Sequence, residues 1–572
     1  IPFATQSSKR ITGIVLDATG MPVIGANVME KGTTNGTITD MDGKFSLEAR
    51  EGAVLVVSYI GFANREIKIG SQTNLSIALK EDAEALDELV VVGYGAQKKV
   101  NLTGAISSVK FDEELSNRPI TNASQALAGK VSGVWISQNS GQPGEDNAQL
   151  RVRGWGTMNN SDPLVIIDGV EGVFSQVNPN DIESISVLKD AASAAIYGSK
   201  AANGVILVTT KTGKNLEKTQ VDLNSYVGVQ QLGRRYDLVT NSAELMKMAN
   251  QAMINNGSKT IFPESLIADF ESGTDCYKYP NTDWYNVIYR NALVTEHNLS
   301  IRGGTEKLSS FVSLNYLNQE GIMVNTQSER YGIRANVEYK INKNIRLGSR
   351  LNYSRQKTEE PFSIFRVYEQ FTGATPFIAP YTRDGQYGSV QAIGDDGTLL
   401  YTLYQPLIDA NNGLTKKTTD YMSLNAYAIV DFTKDLNLQV TWASNGSWIK
   451  TDKHNESLYG YTDSGLESIA KNYNRDGIVL SRTQVTSMRN NFQATLNFKK
   501  NITDQHHVSS VLGAQLENYS EENVYARRIN PPKESMTEVD AGTDGIQANG
   551  NFTGLRMASY FGRLNYDYAD KY

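Results

Sequence analysis

The feature that most constrains this chain is strict alternation of apolar and polar residues, repeated many times after about residue 219. Clear examples are the runs 331–339, 345–353, 436–442 and 492–498. Because successive side chains of a β-strand point to opposite faces, each run predicts a strand with one apolar and one hydrated face. The runs reach about ten residues, which suits tilted strands that cross a bilayer. Tyr and Trp lie towards strand ends on the apolar face, as in aromatic girdles.

The connections between these strands alternate in length. Ten strands can be counted between residues 219 and 572. Long connections are predicted at about 231–295, 358–419, 451–486 and 521–555, an intermediate one at 319–328, and short ones at 303–307, 342–344, 433–435 and 500–505. Outer-membrane barrels have long outer loops and short periplasmic turns, whereas a soluble sandwich has no reason for this regularity. The segment is therefore predicted to form an antiparallel transmembrane β-barrel.

Composition excludes several other classes of protein. The chain has 48 Gly and 29 Tyr but only 14 Pro, a mixture that favours β-structure with many turns. Apolar runs of about 18 residues do not occur, so a helical membrane span is excluded and a soluble protein or a β-barrel is left. The net charge of −7 comes without a basic stripe, so a nucleic-acid partner is not expected. The single cysteine, Cys276, excludes an internal disulfide and a thiolate metal cluster and is predicted to be an exposed loop thiol.

Residues 11–80 show short β-branched runs separated by Gly, Asp and Asn, the pattern of a small all-β sandwich. The TDMDG segment, Thr39 to Gly43, is either a calcium site or a tight turn between strands. We favour the turn, because the other ligands of an EF-hand series do not follow. The segment resembles the carboxypeptidase-regulatory-like domain found ahead of many SusC-like importers, through GxVxDxxGxPxxGAxV and TDxDGxF. Histidine is absent before His297, so the resemblance does not imply a zinc peptidase.

Residues 81–95, EDAEALDELVVVGYG, form a predicted linker between two folded segments. Its apolar run could be an ordinary buried strand. An exposed extended peptide in this position could instead pair with the edge of a partner's sheet. The sequence closely resembles the TonB box of SusC-like proteins. That resemblance implies TonB-binding residues at Asp87, Glu88, Leu89, Val90, Val91, Val92, Gly93 and Tyr94.

Residues 96–213 alternate short helical and strand patterns. Strands are predicted at Ile182–Val187 and Val205–Lys211, and a short helix at Ala191–Tyr197. The stretches LxGKVSGV, RVRG, LVIIDGV and IYGSKAANGVILVTTK strongly resemble the plug domain of TonB-dependent transporters, which implies an α+β fold. Asp190 and Lys200 are predicted to be helix-terminal charges and plug–barrel contacts rather than catalytic groups.

The plug sets a lower limit on the size of the barrel that surrounds it. A plug of about 115 residues has a solid radius of roughly 17 Å. Ten tilted strands close at a radius of only about 10 Å, whereas 22 strands close at about 22 Å. The predicted fold class is therefore mainly β, with a sandwich at 11–80, a linker at 81–95, an α+β plug at 96–213 and the first part of a barrel at 219–572, of which about 22 strands are expected in all.

Catalytic and metal-binding constellations are not found in the sequence. GxSxG, HExxH and P-loop motifs do not occur, and the adjacent His506 and His507 would point to opposite faces of a strand. We therefore expect no enzymatic activity, no cofactor and no metal. Aromatic side chains could stack on sugar rings. Candidate substrate contacts are Trp155, Asn159, Asn160 and Asp162 in a plug loop and Trp284 and Tyr285 in the first long loop, the alternative being that they pack loops together or against a lid.

The resemblance implies TonB-dependent import of oligosaccharides or peptides across the outer membrane of a Gram-negative bacterium. It places the N-terminal domain and the TonB box in the periplasm. Implied partners are a SusD-like surface lipoprotein that acts as a lid, TonB with ExbB and ExbD, and outer-membrane lipid, with a dimer of transporter–lid pairs. The main alternative is a surface receptor or adhesin that binds a glycan or protein without transporting it, although such a protein would not need the DELVVVGYG segment. The opening IPFA could be the end of a signal peptide.

Overall fold

The computed structural model describes most of the chain as two compact units. The described residues are 8–17, 20–31, 33, 35–50, 52–59, 62–69, 72–79, 89–91, 96–98, 106–111, 120–214, 216, 218–388, 405–461, 477–503 and 505–568. One unit comprises 1–103 with 567–572, and the other comprises 104–566.

The first unit contains a small β-sandwich. Its strands are β1 (Ser8–Leu16), β2 (Asn27–Glu30), β3 (Gly36–Ile38), β4 (Lys44–Arg50), β5 (Val54–Tyr59), β6 (Phe62–Lys68) and β7 (Asn74–Ala78). One sheet has the order β4-β1-β7 and the other the order β3-β2-β5-β6. Alternate side chains of both sheets, such as Phe45 and Leu47 in β4 and Leu55 and Val57 in β5, share one buried core. The predicted sandwich is confirmed.

The TDMDG segment forms a tight turn between β3 and β4, as predicted. The Asp40 carboxylate accepts hydrogen bonds from the backbone N–H groups of Asp42 at 3.0 Å and Lys44 at 2.8 Å. Gly43 has a φ of +71°, a conformation that only glycine adopts at little cost. The Asp40 side chain therefore has a structural role in closing this turn.

Two short strands of the same unit lie in the linker region. They are β8 (Leu89–Val91) and β9 (Ala96–Lys98). They pair with each other in antiparallel register, with Val90 opposite Gln97. Part of the predicted TonB box is thus an extended strand that pairs within its own chain.

The second unit begins with the plug-like domain. Its elements are β10 (Ile106–Lys110), α1 (Ala123–Ala126), β11 (Val134–Gln138), β12 (Ala148–Val152), β13 (Leu164–Ile167), β14 (Val170–Glu171), β15 (Ile182–Leu188), α2 (Ala191–Ala194) and β16 (Val205–Thr210). Five strands form a sheet in the order β10-β15-β16-β13-β14, beside the hairpin β11-β12. The two predicted strands are confirmed. The predicted helix is shorter: α2 passes into a 3-10 turn, within which Gly198 has a φ of +65°.

The rest of this unit is dominated by one sheet of ten antiparallel strands, as predicted. They are β17 (Gln220–Gln230), β18 (Ala292–Gly304), β19 (Leu308–Glu320), β20 (Gln327–Lys340), β21 (Ile345–Pro361), β22 (Leu414–Asp431), β23 (Leu436–His454), β24 (Val479–Asn501), β25 (His506–Ile529) and β26 (Asp544–Tyr568). Each strand pairs with its neighbours in sequence. On β20, Tyr331, Ile333 and Val337 are exposed on one face, while Arg330, Arg334 and Asn336 contact the plug from the other.

The strands are longer than the alternation predicts, from 11 to 25 residues. The predicted connections 451–486 and 521–555 are correspondingly too long. Pairing continues between Thr451 and Thr483 and between Glu521 and Ser487. In these segments polar residues occur on both faces of the strands, so the alternation is lost although the backbone hydrogen bonding continues.

Successive short turns are displaced along the strands. Following paired residues across the sheet, each turn lies two to four residues beyond the level of the preceding one. Such a stagger is what a tilted, barrel-forming sheet requires.

Two long connections contain helices that the sequence reasoning missed. They are α3 (Ser242–Asn255), α4 (Glu264–Ser272) and α5 (Trp284–Ile288) between β17 and β18, and α6 (Ile364–Gly373) and α7 (Pro406–Asn411) between β21 and β22. Their apolar faces pack around one core that includes Met246, Phe262, Trp284, Phe371 and Leu407. We call the parts of the two connections that surround this core the loop layer. Among the helices described, none is both long and apolar enough to cross a membrane.

Candidate functional site

The plug is held against the inner face of the sheet by polar contacts. Arg334 of β20 donates to Asp181 of the plug at 3.3 Å, and both side chains are buried. Asn336 donates to the Thr210 hydroxyl and to the Lys211 carbonyl, each at 2.8 Å. Arg350 of β21 donates to the Asp168 carbonyl at 2.9 Å. Hydrogen bonds and a buried ion pair therefore link the plug to β20 and β21.

A second set of contacts joins the plug to β24 and β25 through four charged side chains. The four-charge cluster consists of Glu171 and Lys200 from the plug, Arg489 from β24 and Glu517 from β25. The Lys200 ammonium lies 2.7 Å from Glu517 and 3.0 Å from Glu171. The Arg489 guanidinium lies 3.1 Å from Glu171 and also pairs with Glu517. Each cation thus contacts both carboxylates.

The distribution of charge within the four-charge cluster matters for movement. The plug contributes one cation and one anion, and these already contact each other. The barrel also contributes one of each, and they contact each other too. If the two parts separate, each keeps a neutral pair, so separation leaves no charge without a partner, which is the costly outcome for buried ions. The arrangement of charges therefore lowers the electrostatic cost of separating the plug from the strands.

The sequence predictions for Asp190 and Lys200 are confirmed by this geometry. Asp190 caps α2 by accepting from the backbone N–H of Ser193 at 2.8 Å. Lys200 bridges plug and barrel, as described above.

A plug loop carries four of the predicted substrate contacts. It leaves β12 through Arg153 and Gly154, which have φ values of +58° and +93° and turn the chain sharply. Trp155 follows and is 65% exposed. Asn159, Asn160 and Asp162 are exposed as well.

The guanidinium group of Arg151 holds the loop in place. The buried Arg151 lies with its Cζ 4.5 Å from the centre of the Trp155 ring and pairs with Asp162. Asn160 accepts from the side chain of Asn203 at 3.1 Å through its backbone carbonyl. The loop therefore presents an indole on a supported backbone.

Sequence reasoning missed a second indole at this place. Trp135 of β11 is 48% exposed, and its ring centre lies 6.3 Å from that of Trp155. β11 pairs with β12 so that Trp135 lies opposite Arg151. The sequence held a signal, because VSGVWISQ precedes RVRGWG and two strands of this length form a hairpin, but cross-strand register could not be read from it.

Trp284 and Tyr285 are located differently from the plug residues. Trp284 is 4% exposed and donates from Nε1 to the Thr375 carbonyl at 2.9 Å. The Tyr285 ring packs against Phe371 at 4.9 Å, and its hydroxyl accepts from the backbone N–H of Tyr236 at 2.9 Å. For these two residues the geometry favours the packing alternative over direct contact with a substrate.

The loop layer also contains a buried carboxyl group. Asp409 of α7 is 3.4 Å from the Arg366 guanidinium of α6. Burial raises the pKa of Asp409 to about 6, since the lowering by Arg366 is smaller and Glu369 opposes it. Proton uptake near pH 6 can therefore alter the contact between α6 and α7.

Of the predicted TonB-binding residues, Leu89, Val90 and Val91 form β8. Asp87, Glu88, Val92, Gly93 and Tyr94 lie outside the described residues.

Comparison with known proteins gives matches along the whole chain. A family described as CarboxypepD_reg-like domain matches residues 11–91, and the TonB-dependent Receptor Plug Domain matches residues 98–205. TonB-dependent receptor P26 of Formosa agariphila is 33% identical over 582 residues, which cover 100% of this chain and 55% of that protein. TonB-dependent receptor SusC of Bacteroides thetaiotaomicron is 44% identical over 346 residues, which cover 59% of this chain and 32% of SusC.

Solved structures show a similar fold. The RagAB peptide importer in its open-open state matches with a TM-score of 0.68 at 21% identity, over 85% of this chain and 55% of that chain. The chain spans about half the length of the curated relatives that it matches from end to end.

A plug domain packed against a sheet of ten long antiparallel strands, together with these relatives, is the arrangement of the TonB-dependent receptors, a class of outer-membrane β-barrel proteins of Gram-negative bacteria. Within that class, the chain resembles the SusC-like receptors, with a carboxypeptidase-regulatory-like domain before its plug. The relatives named above are receptors or transporters rather than enzymes.

Proposed function

We propose that this receptor actively imports oligosaccharides or peptides across the outer membrane, with a SusD-like lipoprotein as its lid. The observation that carries the proposal is the four-charge cluster together with the hydrogen bonds along β20 and β21. A plug held by so many contacts blocks passive flow, so transport needs an energy input. Because the four-charge cluster separates into two neutral pairs, the plug can leave the strands and later form the same contacts again.

The proposed energy input is a pull by TonB, with ExbB and ExbD, on residues 87–94. A strand with an available edge can pair with a partner's sheet, and its main-chain hydrogen bonds then supply the affinity. β8 is extended, which supports this role, and it is paired with β9 on one side. We propose that the sandwich at 11–80 and the linker at 81–95 lie in the periplasm. The proposed domains that follow them are the plug at 96–213 and the first part of the barrel at 219–572.

The proposed substrate site is the plug loop with Trp155, Asn159, Asn160 and Asp162, to which we add Trp135. Two neighbouring indoles offer apolar faces for a sugar ring or an apolar side chain. The amide and carboxylate groups beside them can bond hydroxyl or peptide groups. The SusD-like lid, contact with lipid and a dimer of transporter–lid pairs are proposed from the family resemblance.

The experiment that tests active import is substitution of Val91 by proline in the complete receptor. Proline removes a backbone N–H donor and should abolish uptake while the receptor remains folded in the outer membrane. Val91→Thr keeps the N–H and the β-branched shape and is the matched control. Growth is compared on those polysaccharides or protein hydrolysates that support the parent strain but not a strain lacking the receptor. Normal growth of the proline variant would refute the proposed TonB contact.

The alternative is a receptor or adhesin that binds without transport. It predicts that Val91→Pro affects neither the binding of the glycan or protein to the cell surface nor growth. Loss of growth with retained surface binding is the result that separates import from simple adhesion.

A further inference from the structure

A cluster of tyrosines lies where three long connections of the receptor meet. We define the tyrosine cluster as Tyr277, Tyr381 and Tyr387 with the ion pair of Asp275 and Arg383. Asp275 and Tyr277 belong to the β17–β18 connection, and the other three residues belong to the β21–β22 connection. The β23–β24 connection joins them, because the backbone N–H of Tyr461 donates to the Tyr387 carbonyl at 2.8 Å.

The central part of the tyrosine cluster is a small hairpin. Tyr381 and Tyr387 lie directly opposite each other, and Thr382 donates to the Gln386 carbonyl at 2.7 Å within it. Opposite residues of an antiparallel pair project to the same face. Their rings accordingly stack, with centres 5.7 Å apart and planes inclined by 27°. Tyr381 is 45% exposed, whereas Tyr387 is half-buried, so Tyr381 is the outer ring of the pair and remains accessible to solvent.

The edge of this platform carries paired charges. Arg383 donates to Asp275 at 2.6 Å, and its guanidinium lies 5.3 Å from the centre of the Tyr277 ring. Burial raises the pKa of the Tyr387 hydroxyl, and the neighbouring Tyr381 and Glu456 raise it further. Glu456 belongs to the β23–β24 connection, so all three connections contribute to the electrostatic environment of Tyr387.

This combination of groups matches the chemistry of a pyranose better than that of a peptide. The C–H face of a sugar ring is flat and apolar and fits an aromatic platform, while carboxylate and guanidinium groups bond hydroxyls at its rim. An extended peptide would instead bind along an unpaired strand edge. The edge of the hairpin next to Tyr387 is already occupied by Tyr461, which pairs with Gly388 in parallel.

We propose that the tyrosine cluster is a docking subsite for a pyranose ring of an oligosaccharide. It lies in the outer connections and is separate from the proposed plug site around Trp155. The inference rests on the proposed function in one respect: it narrows the substrates of that importer to glycans.

The test is binding of the purified complete receptor to an oligosaccharide microarray, followed by titration with the oligosaccharide that gives the strongest signal. We expect Tyr381→Ala to weaken binding about three- to tenfold, the range that an aromatic contact contributes. Tyr381→Phe keeps the ring and should bind within about twofold of the parent. Tyr236→Ala removes a tyrosine of the β17–β18 connection that lies outside the cluster and is more exposed than Tyr381, 74% against 45%, and it should have no effect. Folding of each variant is checked by its heat-modifiable migration.

Several results would overturn the subsite. They are the absence of any bound oligosaccharide, equal affinity of Tyr381→Ala and the parent, an equal loss in Tyr236→Ala, or a signal with a tryptic peptide mixture that Tyr381→Ala weakens instead. The Val91→Pro receptor is measured in parallel and should bind the oligosaccharide normally. Glycan binding that depends on Tyr381 while Val91→Pro still supports growth would refute TonB-driven import and leave the subsite standing. Absence of oligosaccharide binding on the array, together with a growth defect in Val91→Pro, would refute the subsite and leave TonB-driven import standing.

Discussion

Substitution of Lys200 by methionine tests how firmly the four-charge cluster holds the plug. The Lys200 side chain is 26% exposed and that of Glu517 is 1% exposed, so their pair is largely removed from water. Breaking a buried pair costs about 3–5 kcal/mol when the remaining charge has no partner. Glu517 keeps Arg489 after this change, so we expect a smaller loss of about 2 kcal/mol. That corresponds to an opening constant of the plug that is about 30-fold larger.

Hydrogen exchange of the plug amides in β13 provides the assay, because β13 lies far from Lys200 in sequence and exchanges when the plug opens. The matched control is Lys247→Met, since Lys247 pairs with Glu271 on the surface of the loop layer with both side chains more than half exposed. An exposed pair of this kind contributes at most about 1 kcal/mol. The double variant Lys200→Met with Glu517→Gln should cost about 1 kcal/mol less than the sum of the single changes.

The result that would refute this reasoning is exchange in β13 that Lys200→Met leaves unchanged. Strict additivity in the double variant would also contradict it, because the two groups would then act independently. Equal acceleration in Lys247→Met would show that the effect is not specific to the plug contact.

Two further predictions concern the plug loop and the loop layer. Trp155→Ala should weaken substrate binding about tenfold, with Trp135→Ala giving a similar loss, whereas unchanged affinity in calorimetry would exclude the plug contact. Because the folded-state pKa of Asp409 is raised from 3.8 to about 6, the folded loop layer takes up a proton that the unfolded state does not, and its stability should fall as pH rises from about 4 to 6 and then level off. The total change is up to about 3 kcal/mol. Asp409→Asn should remove this slope in hydrogen exchange of α6 and α7 corrected for intrinsic rates, and a slope that persists would show that another group titrates.

The sheet could be predicted from the sequence because its cause is local. A strand between lipid and a hydrated interior must alternate, and the alternation is visible in 331–339 or 436–442 without knowledge of the fold. Tight turns at 342–344 and 433–435 follow from the same pattern. The strand ends could not be predicted, because beyond the apolar band nothing forces one face to be apolar while pairing continues.

The loop layer was missed for a different reason. α3 had a readable start, since Asn241 caps the helix through the Glu244 N–H and buried residues recur at helical spacing. The segment was predicted only as a long connection, at 231–295. The core formed by α3–α7 joins residues more than a hundred positions apart, and periodicity alone does not show which helices meet.

The candidate site was predictable only in part, and again the limit was contact across the chain. Trp155 was identified from its place after RVRG, but Trp135 and Arg151 meet it through strand register. Lys200 was predicted to touch the barrel, whereas its partners Glu517 and Arg489 lie far away in sequence. Motifs identify the plug, and pairing between distant segments decides what each side chain contacts.

The plug loop and the four-charge cluster are connected by a short segment. Asn203 bonds the backbone of Asn160 in the loop, and Lys200 precedes it by three residues in the 3-10 turn that ends at Ala201. A ligand that binds Trp155 and moves the plug loop therefore also acts on the segment 200–203, which carries the Lys200–Glu517 contact. Coupling through such a segment requires a second arrangement of comparable energy, and a cluster whose two parts are each neutral lowers the electrostatic cost of reaching one. The charge arrangement that the proposed import mechanism uses to release the plug thus also makes the position of the plug sensitive to a ligand bound at the plug loop.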